Sequence, residues 1–421
     1  MAASACEVDA TSSSRVFAYM QRLHHRPCTA DTPVVIHEWT HAGLGNALGQ
    51  LLLSFHFALL HNRSLVTSSA GVRNPQEWVW TNGTGLLPTD VFWPSSCDAL
   101  SAASSTGAHV FRHVIRMRAP ASCPAYGCPW ANALPVGFYS MCIMAWYTQL
   151  TGFLLRPSER LTAPIVEVGR RSCAPPLCGD RSPQDERAPA RSWLAERTRR
   201  FDEAVSAERA LMRRGTETLY RPPLALNLAT RLRLLAGTRR DEPVMALHVR
   251  AGDACGSLRP LEHRPACVFD SAGLQRPVAA AVRGFWTRHR QAAKRRAEGA
   301  SEGAAEGAGQ ASNEGAGQPS SDGAGHASSD GAGQSTAEAE GVGVLLLSTD
   351  SEAAFEQRAA LAKAVGARVA LGFSVPRAKY DGRSGFVETR LLGGALDARH
   401  LLAEALLDLG LLAQVTPGPD L

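Results

Sequence analysis

The sequence predicts an α/β fold with two Rossmann-like domains that face one another across a cleft. The chain has 421 residues, which suits two domains at roughly 150 residues each. Hydrophobic residues make up 45% of the chain and charged residues 20%, so most of it can build a folded core. Short apolar runs alternate with helix-length patterns in both halves, and that order is typical of parallel sheets.

The N-terminal domain, residues 31–240, opens with an apolar run from Val34 to Trp39 that has the length of a buried strand. A glycine-rich turn, an apolar helix from about Asn46 to Leu60, and a second strand near Ser64 to Thr67 follow. This succession predicts the first half of a parallel sheet.

The C-terminal domain, residues 241–421, repeats the pattern of strand and helix. The predicted elements are, in order, a strand at Pro243 to Val249, a helix from about Ser271 to Arg296, a strand at Val342 to Leu347 and a helix at Glu352 to Val365. We expect the two strands to pair in parallel.

A low-complexity stretch, residues 298–341, separates these two strands and contains an eight-residue repeat rich in Gly, Ala and Ser. It has no large apolar side chain to offset an ordering cost of roughly 1 to 2 kcal/mol per residue. We interpret it as a disordered insertion in the second domain.

Ten cysteines occur without the spacing of a zinc site, so no metal is expected. Neighbouring cysteines suit short disulfide loops in an oxidising compartment, and free buried cysteines are the alternative. The neighbouring pairs are Cys123 with Cys128, Cys173 with Cys178, and Cys255 with Cys267.

The net charge, the N-terminal residues and the apolar stretches of the chain bear on its binding partners and its compartment. A net charge of +5 does not favour nucleic acid, and the first residues lack the basic and apolar regions of a signal peptide. The apolar half of the long uncharged stretch from Ala119 to Leu155 predicts a buried helix rather than a membrane span. Two glycosylation sequons begin at Asn62 and Asn82.

Three predicted strands end in polar or glycine-rich sequence, and ligands bind at such ends in α/β sheets. In the first, Gly43 and Gly45 let a ligand approach the backbone, and Asn46 offers a donor and an acceptor. An ordinary turn with a helix cap is the alternative. At the third strand end, Thr349 and Asp350 precede a predicted helix, whose N-terminal N–H groups suit an anion. The alternative is that Thr349 or Asp350 is the N-cap of this helix.

The second strand end, His248 to Asp253, carries the strongest functional signal. Strand alternation puts His248 and Arg250 on one face, and a guanidinium there can bind a diphosphate through two hydrogen bonds. Gly252 permits a sharp turn, and Asp253 can orient the arginine. The alternative is a strand end with a surface salt bridge.

The order of these motifs resembles the fucosyltransferase superfamily, which includes protein O-fucosyltransferases and α-1,6-fucosyltransferases. The matching segments are Gly43 to Asn46 (GxxGN), Asn62 to Val66, His248 to Asp253 (HxRxGD), Leu345 to Asp350 (a strand ending in TD) and Ala405 to Ala413, which includes Asp408.

The resemblance implies an inverting, metal-independent GT-B enzyme of the ER or Golgi lumen. It implies GDP-fucose as donor, no cofactor, and a glycan or glycoprotein as acceptor. Arg250 and Asn46 would be the catalytic residues, on the donor and the acceptor side. The donor-binding set would be His248, Arg250, Gly252, Asp253, Thr349, Asp350 and Asp408, with Gly43 and Gly45 across the cleft.

Two departures from the family bear on activity. Ala251 stands where many relatives have a second arginine, and the chain ends at Leu421 where they continue into a further strand and turn. We therefore expect the second domain to be incomplete. A transferase for another nucleotide sugar and a catalytically inactive protein of the same fold are the alternatives.

Overall fold

The computed structural model describes residues 10–39, 43–67, 86–103, 110–117, 128–162, 244–249, 283–288, 343–349, 355–371 and 387–413, with a few isolated positions between them. These residues form a mixed helix and strand structure with a three-stranded sheet in each half of the chain. Every pairing in these two sheets is parallel, which confirms the α/β class.

The first sheet has β1 (Val34–His37) between β2 (Ser64–Val66) and β3 (Val114–Met117). From β1 the chain passes to β2 on one side, and later to β3 on the other side. Such a reversal of strand order is a topological switch point, where α/β proteins bind ligands beyond the carboxyl ends of the strands. Here the switch point lies between β1 and β3.

The three long helices of the described N-terminal part pack against this sheet or against one another. In the first, Val16, Met20 and Leu23 recur at helical spacing, and all three are buried. The helices are α1 (Ala10–His24), α2 (Leu44–Leu60), α3 (Pro88–Val91), α4 (Asp98–Ala103) and α5 (Ile143–Leu154). Since α5 buries Trp146 and Leu150, the buried helix expected before Leu155 is confirmed.

The second sheet has the order β4 (Val244–Val249), β5 (Val344–Thr349) and β6 (Val369–Leu371). Because β4 and β5 come from opposite sides of the low-complexity stretch, their parallel pairing confirms that its flanks share one sheet. The stretch itself, residues 298–341, lies outside the described residues.

Helices cover both faces of β5. Leu345 and Leu347 pack with Trp286, in the helical segment 283–288, while Val344 and Leu346 belong to the large apolar cluster on the other face. The remaining labelled helices are α6 (Arg358–Val365), α7 (Val387–Leu392) and α8 (Ala398–Ala413). A parallel sheet buried on both faces explains why its strands read as unbroken apolar runs.

One predicted boundary was wrong, because the strand predicted to end at Leu347 continues to Thr349. The predicted start of the next helix, Glu352, lies outside the described residues, and α6 ends at Val365 as predicted. Its C-cap is Gly366, whose φ of 75° lies in the left-handed region that glycine adopts without a steric penalty.

Each cysteine in the described residues is disulfide-bonded, which favours the disulfide alternative over free thiols. Cys28 is bonded to Cys97, with a Cα–Cα distance of 5.2 Å, and Cys128 and Cys142 are bonded as well. The pair Cys255 and Cys267 lies outside the described residues, as do Cys123, Cys173 and Cys178. In the described part of the chain, no helix has the length and apolar character needed to cross a membrane.

Candidate functional site

The polar ends of β4 and β5 lie side by side at the carboxyl edge of the second sheet. The parallel register pairs His248 with Ser348 and Val249 with Thr349. The Nδ1 atom of His248 is 3.0 Å from the Ser348 hydroxyl oxygen. Two strand ends that are 100 residues apart in sequence therefore meet through a side-chain hydrogen bond.

Burial differs across this pair. The His248 side chain is exposed, whereas Ser348 and Thr349 are fully buried. A serine hydroxyl can either donate to or accept from an imidazole nitrogen, so it orients the ring in either tautomer. Thr349 is the last residue of β5, and the residues that directly follow it, 350–354, lie outside the described residues.

The other residues predicted for the donor site are distributed as follows. Arg250, Gly252, Asp253 and Asp350 lie outside the described residues, directly after the two strands in sequence. Asp408 is half-buried in α8, and this helix packs against both β4 and β5. The described part of the predicted donor site is thus the His248 and Ser348 contact, with α8 beside the two strands.

On the first sheet, Gly43 precedes α2, which begins at Leu44, two residues earlier than predicted. Gly45 and Asn46 are consequently exposed residues of its first turn. A Cβ on Gly45 would meet nothing within 4 Å, so open space surrounds this position. The first turn of a helix presents unpaired N–H groups, which suit a polar ligand.

An ion pair that the sequence did not reveal lies at the switch point. The Glu38 amide donates to the Met117 carbonyl at 2.9 Å, and Arg116 Nη1 donates to Glu38 Oε1 at 3.2 Å. The two side chains are 26% and 46% exposed, so both reach solvent. The available signal was an acidic residue near the end of the run predicted as the first strand, but β3 was not predicted.

Beneath this edge, His37 is fully buried at the end of β1, and its Nδ1 lies 2.8 Å from the Ser54 hydroxyl. Burial lowers the pKa of His37 to about 3, so the imidazole is neutral at physiological pH. Its ring meets the Trp39 ring edge-on at 4.6 Å between centroids. His37 therefore supports the strand end by packing, and it offers no positive charge to a ligand.

Asp98 supports the neighbouring strand end from the start of α4. It is buried and accepts from the Ser95 amide at 2.8 Å and from the Thr67 amide at 3.1 Å. Burial raises the pKa of Asp98 to about 7, against the lowering effect of these hydrogen bonds. The hydrogen bonds of the Asp98 carboxyl group therefore fix the end of β2.

Two further histidines, at the end of α1, are buried beside an arginine. The Arg156 guanidinium lies 3.9 Å from the centre of the Trp93 ring, and the His25 ring lies 4.4 Å from the same ring. Burial lowers the pKa of His24 to about 4 and that of His25 to about 2. Both histidines are therefore neutral imidazoles, and their packing holds the end of α1 on the core.

No family model matches the sequence, and the search of curated proteins finds no match. Within the described residues, no cluster of three or more His, Cys, Asp or Glu side chains could hold a metal ion.

Proposed function

We propose that the chain is an inverting glycosyltransferase of GT-B architecture that transfers L-fucose from GDP-fucose to a hydroxyl group of a glycan or protein. The observation that carries the proposal is the contact between His248 and Ser348 at the carboxyl edge of β4 and β5. This edge is where α/β sheets bind nucleotides. Arg250 and Asp350, the next residues after β4 and β5, belong to the motifs that resemble fucosyltransferases.

Arg250 is the group to which we assign the diphosphate. A departing nucleoside diphosphate gathers negative charge in the transition state, and a guanidinium can hold two of its oxygens at once. His248, oriented by the buried Ser348 hydroxyl, would border the nucleotide. The GT-B arrangement puts the edge of the first sheet, with Asn46, on the acceptor side of the cleft.

Inverting transfer also needs a base for the acceptor hydroxyl, and we assign this role to Glu38. Asp98 is buried and bonded to backbone amides, whereas Glu38 reaches solvent at the switch point, where its Oε1 accepts from Arg116. A carboxylate in this position can accept a proton from a hydroxyl group in the cleft.

The test of the proposal is a donor screen with GDP-fucose, GDP-mannose and UDP-sugars, repeated on Arg250→Lys. Lysine keeps the charge but loses the planar pair of donors, so transfer should fall by about a hundredfold. Arg283→Lys is the matched control, because Arg283 is an exposed arginine that contacts only a backbone carbonyl among the hydrogen bonds described for it.

The outcomes separate the alternatives. Normal turnover in Arg250→Lys would remove this residue from the mechanism, and transfer from a different donor would identify another nucleotide-sugar transferase. Calorimetric binding of GDP without transfer from any donor would instead identify an inactive protein of this fold.

Glu38→Gln tests the base separately. The variant should lose a factor of about 100 to 10,000 in kcat while still binding GDP. Asp31→Asn is the matched control, because Asp31 pairs with Arg112 next to the amino ends of β1 and β3. Equal activity of the two variants would exclude Glu38 as the base.

A further inference from the structure

One sequon lies at a surface turn that the proposed function does not use. Asn62, Arg63 and Ser64 connect the end of α2 to the start of β2. Asn62 is exposed, with a φ of 54°, in the left-handed region that asparagine tolerates better than most residues. Its side chain is therefore presented at the surface by a fixed backbone turn.

The disulfides provide an independent observation on the compartment. Cys28 is bonded to Cys97, and Cys128 and Cys142 are disulfide-bonded too. Stable disulfides are characteristic of the oxidising secretory compartments, where asparagine in this motif receives oligosaccharide.

We propose that Asn62 carries an N-linked glycan. The Asn62 amide nitrogen forms a bond to C1 of an oligosaccharide, the bond from C1 to a lipid diphosphate carrier breaks, and the amide loses one proton. The carrier leaves as the lipid diphosphate. The inference does not rest on transferase activity of this chain.

The location suits a glycan. Asn62 precedes β2 and thus lies at the amino edge of the first sheet, whereas Glu38 follows β1 at the carboxyl edge. In a parallel sheet these edges are opposite one another. A glycan on Asn62 therefore leaves the proposed acceptor side open.

The surroundings of Ser64 also determine when the sugar is added. Its hydroxyl is fully buried, donates to the Leu23 carbonyl at 2.7 Å and accepts from Arg26 Nε at 2.9 Å. The attaching enzyme recognises this hydroxyl as the third residue of the motif. Glycosylation must therefore precede the docking of Arg26, which lies two residues before Cys28.

The experiment expresses the full chain with a secretion signal and maps its peptides after peptide-N-glycosidase treatment, which converts a glycosylated asparagine to aspartate. We expect this conversion at Asn62. Asn62→Asp, which keeps a residue tolerant of positive φ, should lack the mass of one glycan. Asn82→Asp is the control for the second sequon, whose Asn82 lies outside the described residues.

Translation into microsomes detects glycosylation of Asn62 without requiring that a folded chain be secreted. There, dithiothreitol should raise occupancy of Asn62, because it delays closure of the Cys28–Cys97 bond near Arg26. Unmodified Asn62 both in microsomes and in the secreted wild type would overturn the proposal. Unchanged occupancy with reductant would overturn the inference about timing.

Discussion

The disulfide between Cys28 and Cys97 should be one of the largest single contributions to the stability of the N-terminal sheet. It ties the segment before β1 to the residue before α4, across a sequence separation of 69. Loop closure of this length corresponds to about 4 kcal/mol in the chain-entropy description. Since Cys97 is fully buried, replacing it with alanine adds about 1 kcal/mol of lost packing.

The double variant Cys28→Ala/Cys97→Ala measures this contribution in urea, with tryptophan fluorescence as the signal. At an m-value of about 2 kcal/mol/M, a loss of about 5 kcal/mol, from the cross-link and the packing of Cys97 together, lowers the unfolding midpoint by about 2.5 M. The m-value should rise, because the unfolded chain expands when the cross-link is removed.

The two single variants are the internal control. Each breaks the same bond, so each should lose nearly as much stability as the double variant, and the losses should not add. A loss below about 1 kcal/mol in the double variant, or additive losses in the singles, would refute the assignment of this bond as a major cross-link.

Three further predictions concern stability. Deleting residues 298–341 and joining the flanks by a short linker should leave Tm nearly unchanged, because loop closure depends weakly on length; a large fall would show that the stretch is structural. Relative to His24→Asn, the wild type should lose about 3 kcal/mol of stability between pH 7 and pH 4, because the pKa of His24 is about 4 when folded and 6.5 when unfolded, so the unfolded state binds more protons; a stability difference between the two proteins that stays constant over this range would contradict this. Asp98 acts oppositely, since its folded pKa of about 7 lies above the unfolded 3.8; Asp98→Asn should therefore gain stability relative to wild type as the pH rises from 4 to 8, and a constant difference would exclude this titration.

Two strands of the second sheet, β4 and β5, could be predicted from sequence because each begins with an unbroken apolar run, whereas β6 was not predicted. Leu345 and Leu347 face Trp286, while Val344 and Leu346 join the other apolar cluster, so no polar residue interrupts the run. Parallel pairing followed from the intervening helix pattern. The end of β5 was missed because a fully buried Thr349 has the composition of a helix cap.

The pairings that lie far apart in sequence could not be predicted. Cys28 and Cys97 have no local pattern in common, and Glu38 meets Arg116 only because β3 pairs beside β1. The burial of His37 depends likewise on the packing of Ser54 and Trp39 around it. The sequence identifies polar residues at strand ends, but tertiary packing decides which of them stay accessible.

The two edges of the first sheet use polar side chains differently. At the amino edge, Arg26 donates to the Pro33 carbonyl at 2.6 Å, and Arg63 donates to the His113 carbonyl at 3.1 Å. These guanidinium groups satisfy backbone oxygens between strands and so hold the sheet together. At the carboxyl edge, Glu38 and Arg116 pair with each other and remain partly exposed. Substitutions at the amino edge should therefore change mainly stability, whereas substitutions of Glu38 should change mainly turnover.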